Sequence, residues 1–391
     1  MTTFDLIASA VKVFVVFNAI MVGVALLTLA ERRICAWMQD RLGPNRVGPQ
    51  GLLQPAADGL KNFLKEETSP ALADRGLFTL APLISFVPAL LTFAVIPFAA
   101  PLPTPWGVVP MVVADLPVGF LYILAISSLG VYGIVLAGWS SNNKYALLGG
   151  LRASAQMISY EIAMGMSTVA VLLLAGNVTL TQVIAQQQQG LWFVIPLTVA
   201  FLIFFISALA ETNRLPFDLP EAEGELIAGY HTEYSAMKFS MFYIAEYSNM
   251  VTASALMATL FFGGWDIPGH WDDTGEPSVL KTLATLAAFG LKTGFFLFTY
   301  IWIRWTLPRF RYDQLMALGW RVLLPSALVY LTVLATVIWY LHVQLGWAYG
   351  APMAFALGGV NVVLLIVLVA WLDRGRIVSG SVAPEGEGGV A

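Results

Sequence analysis

The chain has 391 residues, of which 58% are hydrophobic and only 11% are charged, and its net charge is -4. Because soluble domains carry about 25% charged residues, this composition predicts a protein of the lipid bilayer, and the small net charge gives no basis for a nucleic-acid partner. The single cysteine, Cys35, excludes an internal disulfide and any cysteine-ligated cluster. The histidines lie far apart, in no spacing typical of a zinc or haem site.

Nine apolar stretches are each long enough to cross a bilayer as a helix, which takes about 20 residues. They cover approximately residues 9–30, 77–100, 117–139, 153–176, 191–210, 240–264, 281–303, 322–346 and 351–372. The predicted fold class is therefore all-α, a polytopic integral membrane protein. The first stretch is too long for a cleavable signal peptide and ends in a charged segment, so we interpret it as a permanent span.

The lysines and arginines predict the orientation, because these residues accumulate in cytoplasmic loops. Only Lys281 falls in a loop on the opposite side, and Lys12 and Lys292 fall inside spans. The N-terminus is therefore predicted outside and the C-terminus inside. We predict one membrane domain over residues 1–372 and a disordered polar tail over 373–391. The predicted cytoplasmic loops are residues 31–76, 140–152, 211–239 and 304–321.

The first of these loops contains an amphipathic helix, predicted to begin at Gly51. Its apolar face consists of Leu52, Leu53, Ala56, Ala57, Leu60, Phe63 and Leu64. The helix is too short and too charged to cross the bilayer, so we expect it near the lipid headgroups. Two interpretations remain open. The loop either meets anionic lipid with its cations, or it lines a pocket entered from the membrane with Arg32, Arg41, Asp58 and Lys61.

Three charged residues lie well inside predicted spans, namely Glu161, Glu246 and Lys292. Glu161 and Glu246 each lie about 12 Å in from the cytoplasmic flank, at 1.5 Å per helical residue. A charged group near a helix centre costs about 2.5–3.5 kcal/mol, so such residues usually face water or a partner inside the bundle. Both are therefore candidates for a proton path. Lys292 either neutralises a nearby carboxylate or takes part in coupling.

The segment "ETNRLPFDLPEAEGELIAGYHTEYSA", residues 211–236, is rich in carboxylates and has one arginine, Arg214. Its acids are Glu211, Asp218, Glu221, Glu223, Glu225 and Glu233. Asp218 and Glu221 have the spacing of a helix capping box. Crowded carboxylates beside a medium of low dielectric constant raise each other's pKa. The segment is thus either an acidic docking surface or a proton-handling funnel.

Four predicted cytoplasmic segments have long sequence motifs that together are specific for one protein family. They read "ERRICAWMQDRLGPNRVGPQGLLQPAADGLKNFLKEE", "SSNNKYALLGGLRASAQMISYE", "PFDLPEAEGELIAGYHTEYSAMKFSMFYIAEY" and "LPRFRYDQLMALGW". From about residue 20 to residue 340, the chain resembles the H-subunit family of bacterial NADH-quinone oxidoreductase, respiratory complex I, and its mitochondrial counterpart. The resemblance implies a multi-pass protein of the bacterial inner membrane whose loops complete a quinone chamber together with two soluble-arm subunits.

The resemblance also implies which groups this chain binds. Quinone is its substrate, and the chain holds no metal or covalent cofactor. FMN, NADH and the iron-sulfur clusters belong to partner subunits, one of which carries the terminal cluster beside the chamber. Further partners are the adjacent small membrane subunits. The chain is then part of a proton-translocating NADH:quinone oxidoreductase and is not catalytic alone.

The resemblance implies roles for three groups of residues. The quinone-binding group is Arg32, Arg41, Asp58, Lys61, Phe239, Phe242, Tyr243 and Arg304. The proton-path group is Glu161, Glu211, Glu221, Glu223, Glu225, Glu233 and Glu246. The group at the junction with the soluble arm is Arg309, Arg311 and Asp313. Ordinary packing remains an alternative for the three aromatic residues. As a hypothesis, negative charge created by quinone reduction displaces protons along the carboxylates and drives ion movement in antiporter-like neighbours.

Two other functions are open. The first is the membrane anchor of a membrane-bound hydrogenase or formate hydrogenlyase type complex. The second, from another class, is a free-standing proton or cation transporter, against which stand the missing internal repeat and the long, crowded cytoplasmic loops. The ninth span, residues 351–372, departs from the eight that are frequent in the family.

Overall fold

The computed structural model describes residues 3–218, 228–269 and 277–373. Its helices are α1 (Thr3–Met38), α2 (Gln54–Leu64), α3 (Arg75–Leu91), α4 (Gly119–Ser140), α5 (Lys144–Ala175), α6 (Leu180–Gln188), α7 (Thr198–Glu211), α8 (Ala236–Phe261), α9 (Val279–Thr306), α10 (Tyr312–Ala317), α11 (Leu324–Trp339) and α12 (Ala351–Asp373). Strands β1 (Leu102–Thr104) and β2 (Gly107–Val109) pair as a short antiparallel hairpin. The predicted all-α class is confirmed.

Within the described ranges, seven helical segments are long and apolar enough to cross a membrane. They are α1, α3 with the turn that follows it, α4, α5, α9, the run from α10 to Gln344, and α12. The apolar helix α7 is shorter, with 14 residues, and α8 is not among the seven. Each of the nine stretches predicted from the sequence nevertheless overlaps with a helix.

Several helix boundaries differ from those predicted, for local reasons. The helix predicted from residue 191 begins only at Thr198, because Pro196 has no N–H and disfavours a helical conformation in the residue before it. The helix predicted from residue 153 begins already at Lys144, where Asn143 Oδ1 accepts the first-turn N–H of Tyr145 at 2.9 Å. The amphipathic helix begins at Gln54 rather than Gly51, whose φ of 74° is not helical.

Helix α5 lies at the centre of the bundle and packs against α4, α7 and α11. Its Tyr160 is fully buried and donates a hydrogen bond to Leu315 O at 2.9 Å. Gln156 is also fully buried, and its Nε2 donates to Ala210 O at 2.8 Å and to Phe217 O at 2.9 Å. These bonds fix the end of α7 and the start of the acidic segment against a rigid neighbour.

The four loops that were predicted on one side of the membrane meet at one end of the bundle. Hydrogen bonds between them join Thr68 to Ser235, Asn143 to Glu233 and Pro216 to Phe310. The β1–β2 hairpin lies at the opposite end, and there Lys12 Nζ donates to Val112 O at 2.7 Å. The ammonium of Lys12 thus caps backbone carbonyls at that end. The assignment of these loops to the cytoplasm, and the side of the membrane that each end faces, stay predictions.

The single cysteine lies at the loop end of α1. Its side chain is buried, and Trp305 Nε1 donates a hydrogen bond to Cys35 Sγ at 2.8 Å. This contact joins α1 to α9 beside the charged residues described below.

Two glycines one turn apart in α4 test the packing of α3 on α4. A Cβ atom on Gly133 would lie 2.8 Å from Ala81 O, whereas a Cβ atom on Gly130 would meet no atom within 4 Å. We expect Gly133→Ala to lower the free energy of unfolding by about 1–3 kcal/mol through overpacking. Gly130→Ala, the control, should leave it unchanged or slightly raise it, because alanine favours helix. Thermal unfolding of the full chain in detergent measures both, and equal midpoints would contradict the close packing.

Candidate functional site

A buried arginine between two carboxylates forms the centre of the site. Arg214 Nη1 donates to Glu31 Oε1 at 3.0 Å, and Arg214 Nε lies 2.7 Å from Glu246 Oε1 as an ion pair. The side chains of Glu31, Arg214 and Glu246 are only 6%, 10% and 14% exposed. Burial alone would lower the pKa of Arg214, but Glu246 and Glu31 outweigh burial and raise it. The guanidinium is therefore a permanent positive charge.

Two further side chains complete this cluster. Arg304, from the end of α9, forms a hydrogen-bonded ion pair with Glu31. Tyr247 donates its hydroxyl to Glu31 Oε2 at 2.5 Å, and the Arg214 guanidinium lies 4.4 Å from the centre of the Tyr247 ring. The Arg304 side chain is 37% exposed, so this member of the cluster is accessible from the surface at the loop end. We call Glu31, Arg214, Glu246, Tyr247 and Arg304 the charged cluster.

A second group lies where α1 meets α2. Arg32 Nη1 donates to Asp58 Oδ2 at 2.5 Å, and Lys61 Nζ lies 4.0 Å from Asp58 Oδ1. The structure thus brings three of the four predicted first-loop residues together. Arg41 lies apart from them and is exposed, with its Nε donating to Gln39 Oε1 at 2.7 Å.

The predicted aromatic residues at the start of α8 divide into two kinds. Phe239 and Tyr243 stack with ring centres 6.0 Å apart, and Tyr243 is 42% exposed. Phe242 is 5% exposed and packs edge-on against Tyr230 and Tyr234. Phe242 therefore packs in the core, whereas Tyr243 offers an open ring face and lies 5.1 Å from the ring of Tyr247 in the charged cluster.

A cavity of about 30 Å³ lies behind the charged cluster and is lined by both Glu211 and Glu246. Phe242 and Asn249 also line it. Because one water needs about 10–15 Å³, this space has room for roughly two water molecules. Glu161, on α5, lies close enough for its charge to act on Glu211. Glu246 and Glu211 thus share one cavity, and the charge of Glu161 acts on Glu211.

The remaining acidic positions have different settings. Glu221, Glu223 and Glu225 lie outside the described residues, and so does half of the predicted Asp218–Glu221 capping box. Glu233 is half-buried and accepts a hydrogen bond from Asn143 Nδ2 at 2.7 Å, so it joins two loops.

The predicted junction residues follow α9. Arg309 Nη2 donates to Asp218 Oδ2 at 3.1 Å, which joins this loop to the acidic segment. Burial raises the pKa of Asp218 above its usual range, and Arg309 offsets this only in part. Arg311 precedes α10, and its backbone N–H donates to Gln314 Oε1 at 3.1 Å. Asp313 lies in the first turn of α10, where a carboxylate favours the helix dipole.

Lys292 lies at the far end of the bundle from the charged cluster. Its Nζ donates to the carbonyls of Phe262, Gly264 and Asp266 at 2.6, 3.0 and 2.6 Å, and lies 4.1 Å from the centre of the Trp192 ring. These carbonyls follow the last turn of α8, which is the negative end of a helix dipole. Lys292 therefore caps the C-terminal end of α8, and one of the carbonyls that it binds is the backbone carbonyl of Asp266.

Sequence reasoning missed Glu31, Arg214 and Tyr247 as site residues. Glu31 stands where charged residues normally flank a span, and its partner Arg214 is 183 positions away in the chain. The available signal was the isolation of Arg214, the one arginine among six acids. Within the described ranges, no group of three or more histidine, cysteine, aspartate or glutamate residues is arranged to hold a metal ion.

Comparisons with known proteins agree on one family. A family model described as NADH dehydrogenase matches residues 11–335. The NADH-quinone oxidoreductase H subunit 1 of Geobacter metallireducens is 52% identical over 325 residues, covering 83% of this chain and 94% of that protein. The NADH-quinone oxidoreductase H subunit of Leptospira biflexa is 48% identical over 352 residues, covering 88% and 97%. The family match ends before α12.

The imidazole of His231, in the loop before α8, allows a test of how deeply the side chains at the loop end are buried. Burial lowers its pKa from 6.5 to about 4, so the unfolded chain binds more protons than the folded chain between these values. Stability should therefore fall as the pH drops through that window. We expect His231→Asn to flatten this pH dependence in thermal unfolding of the full chain, whereas His342→Asn, at an exposed position, should not. An unchanged slope in His231→Asn would contradict the burial.

Proposed function

The chain belongs to the H-subunit family of NADH-quinone oxidoreductase, and from this premise we propose that it forms one wall of a quinone chamber and conducts protons away from it along buried carboxylates. It is a membrane subunit of an oxidoreductase complex. The observation that carries the proposal is the charged cluster, which runs from the exposed Arg304 through Glu31 and Arg214 to Glu246.

The quinone side of the proposal rests on polar and aromatic groups at the loop end. Arg32, at 48% exposure, and Lys61, at 69%, supply positive charge around Asp58. Tyr243 presents a ring face nearby on α8, over which a flat quinone ring can pack. In this proposal Arg41 attracts the quinone head group at the entrance, and partner subunits of the soluble arm close the other wall.

The proton side of the proposal follows from charge balance. Reduction of a quinone to a quinol takes up two electrons and two protons, and the electrons come from an iron-sulfur cluster on a partner subunit. Before the protons arrive, negative charge near Arg304 competes with Glu31 for the guanidinium. Because charges act strongly in a medium of low dielectric constant, this change is felt by Glu246 through Arg214.

The path then continues through the water-sized cavity. Glu246 and Glu211 share its lining, so ordered water can carry a proton between them. Glu161 is the next carboxylate, on α5. In this proposal Glu221, Glu223, Glu225 and Glu233 also belong to the path, and small membrane subunits of a bacterial inner-membrane complex receive the protons beyond Glu161.

The first-loop assignment can be tested at Asp58. Asp58→Asn removes the charge that orients Arg32 and Lys61, and since exposed ion pairs are weak, we expect the apparent KM for a short-chain quinone to rise roughly two- to fivefold. Glu66→Gln, an exposed carboxylate of the same loop, is the matched control. The measurement is NADH-driven quinone reduction in native membranes. An equal KM in Asp58→Asn and Glu66→Gln, with assembled complex, would remove this residue from the chamber.

The proton path can be tested with Glu161→Gln and Glu211→Gln. Each change removes a titratable group but keeps its shape, so we expect proton pumping by inverted membrane vesicles to fall about tenfold or more, as for loss of a positioned acid or base. Asp115→Asn is the control, because this exposed carboxylate hydrogen-bonds to Thr181 at the opposite end. Normal pumping and normal quinone reduction in both variants would exclude these carboxylates from the path.

A further inference from the structure

The chain between α6 and α7 is not helical, although it lies in a predicted span. Its backbone groups therefore need partners from elsewhere, since lipid offers none. Phe193 N donates to Gln187 Oε1 at 3.1 Å, and Val194 N donates to Phe261 O at 2.8 Å. The carbonyl of Leu191 accepts the Tyr349 hydroxyl at 2.6 Å. The segment is thus held by side chains and by another helix.

The start of α7 is completed by a residue from α12. Helix α7 has no side-chain cap of its own, because its N-cap residue is Leu197. Instead, Asn361 Oδ1 accepts the N–H of Val199 at 3.2 Å, and Asn361 Nδ2 donates to Pro196 O at 2.6 Å. Asn361 therefore does from a distant helix what an N-cap residue does within one chain segment.

Asn361 is itself fixed in place. It is 1% exposed, Tyr330 donates its hydroxyl to Asn361 Oδ1 at 3.0 Å, and Nδ2 also donates to Leu357 O at 3.0 Å. One turn earlier, a Cβ atom on Gly358 would lie 3.4 Å from Ile195 O, an ordinary contact distance, so α12 runs directly beside the interrupted segment. Every polar atom of the Asn361 side chain thus has partners on α7, α11 or α12.

We propose that α12 is a brace for α7 and that Asn361 is a positioning residue, which holds the first turn of α7 and through it the carboxylate at its last residue. Helix α12 lies beyond the residues matched by the family model, which end at residue 335. The chain therefore adds to the family's common part a helix that supplies hydrogen bonds to it. The effect on the carboxylate rests on the proposed function of Glu211.

The geometry of α7 explains how the effect is transmitted. The helix has 14 residues and begins at the Asn361 contact, while Glu211 is its last residue. Its far end is held by Gln156, which donates to Ala210 O. When the first turn loses its partner, α7 can tilt about the Gln156 contact, and the Glu211 side chain then turns relative to the cavity that it shares with Glu246.

Asn361→Leu in the whole complex tests the proposal, because leucine keeps the size of the side chain and removes all its hydrogen bonds. We expect hydrogen exchange of the Val199 amide to become about tenfold faster, as for the loss of a cap. We also expect fewer protons pumped per NADH oxidised. The control is Val363→Leu, which changes an apolar side chain of α12 that is 60% exposed. Tyr330→Phe removes the hydroxyl contacts with Asn361 and with the Ala200 backbone but keeps both bonds from Asn361 to the start of α7, so it should give a smaller effect.

Unchanged exchange at Val199 in Asn361→Leu would overturn the brace. Faster exchange with an unchanged number of protons per NADH would overturn the positioning role, provided that Glu211→Gln, measured in parallel, does lower that number. If Glu211→Gln has no effect on pumping, the proposed function fails, whereas the exchange result still decides the brace. Equal changes in Val363→Leu and Asn361→Leu would also contradict the brace, because a general disturbance of α12 would then explain the faster exchange at Val199.

Discussion

The structure depends on one buried arginine. Arg214 lies between Glu31 on α1 and Glu246 on α8, and Arg304 from α9 shares Glu31 with it. Three helices and the acidic segment therefore meet at a single set of charges. Removing one member of a buried ion pair typically costs about 3–5 kcal/mol, because the other charge is left in a medium that cannot solvate it. The charged cluster therefore holds α1, α8 and α9 together at this point. A new charge beside the cluster would act on every member of it.

Much of this arrangement could be predicted from the sequence. The nine apolar stretches follow from hydropathy, and the candidacy of Glu161 and Glu246 follows from the cost of charge in lipid. Glu211 drew attention only as the first acid of the acidic segment, and its place on a proton path comes from the family resemblance. The names of the relatives agree with the NADH-quinone oxidoreductase resemblance rather than with a hydrogenase anchor or a transporter.

Other features could not be predicted, for physical reasons. Glu31 and Arg214 meet across 183 positions, and no local pattern records a contact between segments so far apart. Phe242 and Tyr243 are neighbours of similar chemistry, yet only the rotation of α8 decides that the first is buried and the second is open. Pro196 explains why α7 starts late. The residue that supplies hydrogen bonds to the start of α7, Asn361, lies on α12, and no local pattern predicts this contact. Lys292 likewise caps α8 from a helix that follows it.

The setting of Cys35 has a practical consequence. It is the one thiol of the chain, is 5% exposed, and already accepts the indole N–H of Trp305. Thiol reagents react with accessible thiolates, so this buried sulfur should be a poor target for them. A cysteine introduced on any loop or lipid-facing helix surface would then be the site where a spin label or fluorophore attaches. The native sequence can thus serve as its own background for distance measurements.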